Sequence, residues 1–311
     1  MLCITYTIAV GLVLGILAHL LEHLRPARVA RRWIWCATMA ASISLPGYYR
    51  LHHSLDVGGA ALPITARGIA GGLLGRIGPI DDAISRTWPV ATAVLALWAA
   101  AGAGWVAYSL RKSRGGRRGA GPSFVGDVAA VITETLGPAT VGVWRSRVVL
   151  PRWVLALPDT QRDYIVRHEE EHRRSRDCAL LFLASLTVIL LPWNLALWWQ
   201  LRRLSLAVEM DCDTRVVAAL GDPQSYGSML LTVAQASGGP SRLQPGLLGA
   251  AGMLERRLVA LLAPATPHRA HRVLMAVAAC LLLVAVLSTP HPVAGHAHSR
   301  AARGPSSVAA R

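Results

Sequence analysis

Four apolar blocks limit what this 311-residue chain can fold into. Residues 4–21, 33–49, 89–110 and roughly 271–289 form runs with almost no charge. A helix needs about 20 residues to cross the hydrocarbon core of a bilayer. The run at 89–110 meets that length easily, those at 4–21 and 271–289 are adequate, and that at 33–49 is marginal. Charged residues are 16% and apolar residues 53% of the chain, and mean hydropathy is +0.41. A soluble domain carries about 25% charged residues, so four such runs are hard to hide in a water-soluble core. The expected fold is an α-helical integral membrane protein. No basic residue precedes the first run and no Ala-x-Ala site lies before Arg25, which favours a retained first helix over a signal peptide.

Charge around these runs orients them. Arg25, Arg28, Arg31 and Arg32 lie between the first two, and Arg111, Lys112, Arg114, Arg117 and Arg118 follow the third. Loops rich in Lys and Arg stay in the cytoplasm. The expected layout is therefore three transmembrane helices within 1–110 with an outer loop at 50–88, then a basic linker at 111–121. A cytosolic module at 122–270, a final transmembrane helix at 271–289 and a disordered extracytoplasmic tail at 290–311 complete it. This places the protein in the cell's inner (cytoplasmic) membrane. The net charge of +15 suits contact with anionic lipid. No basic stretch is interleaved with aromatics, so direct nucleic-acid binding is not expected. The five cysteines form no Cys-x-x-Cys pair, which argues against disulfides or a thiolate zinc site. A fifth apolar stretch, 178–199, contains Pro192 and Asn194; either spanning the bilayer or packing within the module fits it.

Inside the module, 139–143 and 147–150 are short β-branched runs that predict a small antiparallel sheet or hairpin. Helices are expected after Asp159, over about 201–220 and 226–236, and over 254–262. The first of these carries His168-Glu169-Glu170-Glu171-His172. Residues four apart share a helix face, so both imidazoles can reach one metal, and Glu169 can act on its water. This is the zincin pattern. Catalytic zinc takes three protein ligands and leaves one position open. Glu170 and Glu171 read as a solvated face. The third ligand is sought in Glu209-Met210-Asp211-Cys212-Asp213, which interrupts an apolar helical pattern. Glu209 and Asp213 share a face and Asp211 points away. Glu209 is the economical ligand, with Asp213 orienting a ligating histidine. The competing reading pairs Glu209 or Asp213 with Arg203 or Arg215.

With these residues in place, the chain resembles the beta-lactam-sensing, methicillin-resistance-type regulatory membrane metallopeptidases. The likeness rests on Pro138-Ala139-Thr140-Val141-Gly142, on Val148-Val149-Leu150-Pro151, and on His168 to His172 followed by Asp177. It extends to Trp193-Asn194 with Trp198, to Glu209, Cys212 and Asp213, and to Tyr226-Gly227 with Leu230-Leu231. Leu195 stands where proline is usual. The resemblance implies an embedded cytosolic zincin-like α+β module and Zn2+ held by His168, His172 and Glu209. It further implies a strand within 141–150 that pairs with extended substrate, and a role for Asn194 near the site. Sensor members continue into a penicillin-binding domain. Here no Ser-x-x-Lys motif follows the fourth run, so beta-lactam sensing is not carried over, and His291, His296 and His298 read as a polar tail. The expected function is a zinc endopeptidase in signal transduction. Its partners would be the lipid bilayer and a protein or peptide substrate that is cytosolic or membrane-proximal, with a transcriptional repressor as the candidate. A non-proteolytic membrane signalling or scaffold protein with a vestigial metal site is the alternative, against which the intact Glu169 argues.

Overall fold

The computed structural model describes residues 3–24, 30–53, 64–115, 123–134, 136–236, 250–262, 273–275 and 277–278. Three long helices come first: α1 (Cys3–Leu24), α2 (Arg31–His53) and α3 (Ile64–Gly115). Among the described residues, two helices are long and apolar enough to cross a membrane, through Thr7–Leu24 and Asp82–Lys112. The run at 33–49 lies in α2 but does not meet that standard, since arginines flank it and Thr38, Ser42 and Ser44 interrupt it. The expected outer loop at 50–88 is largely helix. α2 continues to His53 and α3 already begins at Ile64, with Pro79 and Pro89 inside it. α3 also carries through the first half of the basic linker, to Gly115. The final helix at 271–289 and the tail lie almost wholly outside the described residues.

A four-stranded sheet follows, with β1 (Ser123–Val125), β2 (Val128–Thr133), β3 (Ala139–Val141) and β4 (Arg147–Pro151) in the order β1-β2-β4-β3. The expected hairpin is present as antiparallel β3 and β4, but β4 also pairs with β2 in parallel, so the sheet is mixed. Val148, Val149 and Leu150 are each fully buried. Such an unbroken apolar run belongs to a strand covered on both faces, and that places β4 inside the sheet and β3 at its edge. The β3–β4 turn starts at Gly142, whose φ is +116° and where a Cβ would lie 2.8 Å from the Arg145 carbonyl oxygen. Only glycine fits there.

The remaining helices are α4 (Asp159–Arg174), α5 (Asp177–Leu190), α6 (Leu195–Leu220), α7 (Pro223–Ala236) and α8 (Ala250–Leu262). The 178–199 stretch is therefore two helices. α5 has 14 residues, about 21 Å at 1.5 Å per residue. α6 starts six residues earlier than its sequence pattern suggests, because the Asn194 side chain caps it, accepting from the Ala196 and Leu197 amides at 3.1 and 3.3 Å.

α6 joins two cores. Leu197, Leu204, Ala207 and Val208 pack with Ala18 of α1, Trp35 and Met39 of α2, and Val188 of α5. Cys212 and Val216 pack with Val148, Leu150, Ile165, Tyr226 and Met229. Glu209 thus stands where the long-helix bundle meets the sheet-containing module. α1 approaches α6 closely: a Cβ at Gly15 would lie 2.2 Å from the Trp199 ring. Buried Gln200 donates to the Gly11 carbonyl at 2.7 Å, an interhelical bond of the kind that joins helices in lipid.

Candidate active site

α4 is built to hold its own ends: Asp159 lies in its first turn and His172, Arg173 and Arg174 in its last, matching the helix dipole. It presents His168 and His172 toward α6. The His168 and His172 Nε2 atoms are 3.1 Å apart. Glu209 brings Oε2 to 3.5 Å from the first and Oε1 to 3.5 Å from the second.

Hydrogen bonds set the tautomers of both rings. His172 Nδ1 is 2.8 Å from Asp177 Oδ2; an ionised carboxylate only accepts, so Nδ1 carries the proton. Burial and Asp213 both raise the Tyr226 hydroxyl's pKa, so it stays protonated and donates to Asp213 Oδ1 at 2.7 Å. His168 Nδ1, 2.9 Å from the same hydroxyl, then donates to it. Both Nε2 lone pairs consequently face one point, 3.1 Å apart, with a carboxylate beside them. Such an arrangement suits a shared cation, protons or a metal ion. For zinc with bonds of about 2.0–2.1 Å, a tetrahedron has edges of about 3.3–3.4 Å, and each Nε2 has one Glu209 oxygen near that distance, Oε2 for His168 and Oε1 for His172. The donor set fits a metal.

The surrounding charge agrees. Burial opposes protonation of His168, yet Cys212 and Glu209 overcome it and raise its pKa to about 10. Burial likewise opposes ionisation of Glu209, but Arg257 and the two histidines hold it well below the usual carboxylate range. The Glu209 carboxylate that favours a proton on His168 would equally favour a divalent cation, which displaces such protons when it binds.

Cys212 is fully buried, with Sγ 3.3 Å from His168 Nδ1 and 3.4 Å from the His168 carbonyl oxygen. His168, His172 and Cys212 form a second buried donor set whose ligand atoms lie within 4.8 Å of one another. The Glu209 set leaves both Nδ1 hydrogen bonds intact, whereas the sulfur competes with Tyr226 for the Nδ1 side of His168.

Glu169 is buried and turns to the sheet. Thr140 Oγ1 lies 2.6 Å from the Glu169 carbonyl oxygen and 3.1 Å from its Oε2, so the carboxylate lies against edge strand β3. Glu170 and Glu171 are not a solvated face. They are buried beneath arginines, Glu170 under Arg173 and Arg174 and Glu171 under Arg167 and Arg215. Asp211 points away from Glu209, as its position on the helix dictates, and caps α2 by accepting from the Arg31 and Arg32 amides at 3.1 and 3.0 Å. Asn194 is not brought to the site. It lies 15 residues before Glu209 on one continuous helix, about 22 Å away, and its oxygen is occupied by the cap.

Three groups at the site escaped the sequence pattern as positioning residues. Asp177 holds His172 because Ser175 and Arg176 make a two-residue turn, with Arg176 at φ +55°, that folds the start of α5 back onto α4. Tyr226 links Asp213 to His168. Arg257, not Arg203 or Arg215, pairs with Glu209 and Asp213. Its sequence signal was a cation on the apolar face of α8, between Leu254, Leu258 and Leu261, which pack on the module's core.

A comparison with curated proteins gives no match. The family model described as BlaR1 peptidase M56 matches residues 82–261, more than half of the chain. That span includes the His168–His172 pair, Glu209, Tyr226 and Arg257, and the chain belongs to the BlaR1 peptidase M56 family, a family of metallopeptidases.

Proposed function

We propose that the chain is a membrane-embedded zinc endopeptidase that cuts a cytosolic or membrane-proximal protein, a transcriptional repressor being the candidate, during signalling. The observation that carries this reading is the convergence of His168 Nε2, His172 Nε2 and the Glu209 carboxylate on one point, with Glu169 one residue along the same helix. Zinc held by these three side chains supplies a Lewis acid for an attacking water and for the scissile carbonyl. Glu169 takes the proton of the attacking water as the new C–O bond forms, and delivers it to the leaving nitrogen as the C–N bond breaks. Thr140 steadies one carboxylate oxygen of Glu169 and leaves the other for the water. β3 is an edge strand, the kind of element with which an extended substrate segment pairs, and its Thr140 carbonyl accepts from the Cys178 thiol at 3.0 Å. The Thr140–Glu169 contact sets the general base beside that edge.

Membrane embedding is supported by apolar side chains that no protein covers. Val90, Val94, Leu97 and Trp98 of α3 and Leu183 and Leu190 of α5 are all more than half exposed, which suits lipid. With arginine-rich ends in the cytoplasm, the site faces the cytosol. Asp213 and Tyr226 orient His168 in this reading. Asn194 serves the helix bundle.

The test is zinc stoichiometry and cleavage by the full chain in lipid nanodiscs. One zinc per chain, loss of cleavage on chelation and recovery with added zinc are expected. A wild type that binds zinc yet cuts nothing in a proteome-wide substrate trap would instead favour the scaffold alternative. Cys212→Ser decides between the donor sets: with Glu209 as third ligand, the variant keeps zinc within about threefold of wild-type affinity, and its Co2+ form shows the wild-type absorption spectrum. A thiolate-to-cobalt band in wild type that vanishes in Cys212→Ser would assign the ligand to sulfur.

A further inference from the structure

The site also draws on a helix remote in sequence. Arg257 of α8 places Nη1 2.9 Å from Glu209 Oε2, and Nε and Nη2 2.8 and 2.7 Å from Asp213 Oδ2 and Oδ1. Its side chain is 14% exposed, and that of Asp213 is 2% exposed. The two carboxylates are four residues apart on α6, and the planar guanidinium spans them. Arginine's fixed fork suits such a double contact, which a single ammonium point cannot reproduce.

Two arms run from this one cation. The first holds Glu209 Oε2, leaving Oε1 as the oxygen nearest His172 Nε2, at 3.5 Å. The second fixes Asp213, which receives the Tyr226 hydroxyl, which in turn receives His168 Nδ1–H. We infer that Arg257 is a positioning residue for the metal centre. It orients two of the three ligands, Glu209 directly and His168 through Asp213 and Tyr226, so that α8 must be docked for the site to bind metal tightly. This inference rests on the zinc reading above.

Charge alone predicts the opposite sign. A guanidinium beside the ligands repels a divalent cation, and removing it would tighten binding. Orientation predicts weaker binding, since losing partners behind metal ligands costs about 10–100-fold in affinity. The experiment is zinc titration of metal-free full chain in nanodiscs against a chromophoric chelator, for wild type, Arg257→Gln and Arg257→Lys, with circular dichroism of each metal-free protein. The expected result is about 10–100-fold weaker zinc binding for Arg257→Gln with unchanged helix content, and an intermediate loss for Arg257→Lys. Equal or tighter binding by a folded Arg257→Gln overturns the inference. Should Arg257→Gln fail to fold, Arg257→Lys decides: several-fold weaker binding supports the positioning role and wild-type affinity overturns it. A wild type that takes up no stoichiometric zinc overturns the zinc reading and this inference with it. Failure of the inference alone leaves wild-type zinc binding intact.

Discussion

Glu169→Gln keeps its zinc and loses peptide cleavage by about 10²–10⁴-fold, the usual contribution of a general base. The substitution preserves the shape of the side chain and its ability to accept from Thr140, whose hydroxyl lies 3.1 Å from Glu169 Oε2. It removes only the basic oxygen that takes a proton from water. Zinc content by metal analysis and turnover of a trapped substrate report the two effects separately. His168, His172 and Glu209 are untouched, so zinc affinity should change by less than about threefold. Cleavage within tenfold of wild type would exclude Glu169 as the base. Loss of zinc together with activity would mean that Glu169 supports the metal rather than the water.

Asp177→Ala destabilises the fold by about 3 kcal/mol, the low end for breaking a buried ion pair by removing one partner, and weakens zinc binding by about 10–100-fold. The carboxylate is 2% exposed and stands between His172 Nδ1 at 2.8 Å, Arg32 Nη1 at 2.7 Å and Arg215 Nη2 at 3.6 Å. Its loss frees the His172 ring to change tautomer and leaves Arg32 facing the site without a counter-charge. Asp177→Asn keeps an acceptor for Nδ1–H and should fall between the two. Thermal melting of the metal-free chain and zinc titration measure both effects, with exposed Asp127→Ala as the control that changes neither. An Asp177→Ala chain that melts and binds zinc like wild type would show that His172 needs no partner.

Asp177 also shows what the site is attached to. Through Arg32 it ties His172 to the start of α2, and Asp211 caps the same turn of α2 from α6. Glu22 of α1 pairs with Arg203 at 2.6 Å. The long helices and the His172 side of the site are thus joined by buried charge, and α6 runs without a break from one core to the other.

The histidine pair was legible in the sequence because its geometry is local: four residues on one helix decide that the rings share a face. Glu209 was legible for a related reason, as an acid that breaks an apolar pattern on a second helix, and its distance from Asp213 placed both on one side. Burial of Glu170 and Glu171 was not legible, since their acid-rich run reads as solvated until Arg167 and Arg215 are folded over it. The parallel β2–β4 pairing was also hidden, because a hairpin signal concerns only neighbours in sequence. The sequence by itself determined the apolar runs, the histidine pair and the acid opposite it, all features of periodicity along one helix or strand. Only the tertiary structure decided which further partners hold the two histidines and Glu209. Asp177, Tyr226 and Arg257 reach the site by a two-residue turn and by helix packing, and no spacing along the chain encodes a contact that depends on how separate helices dock.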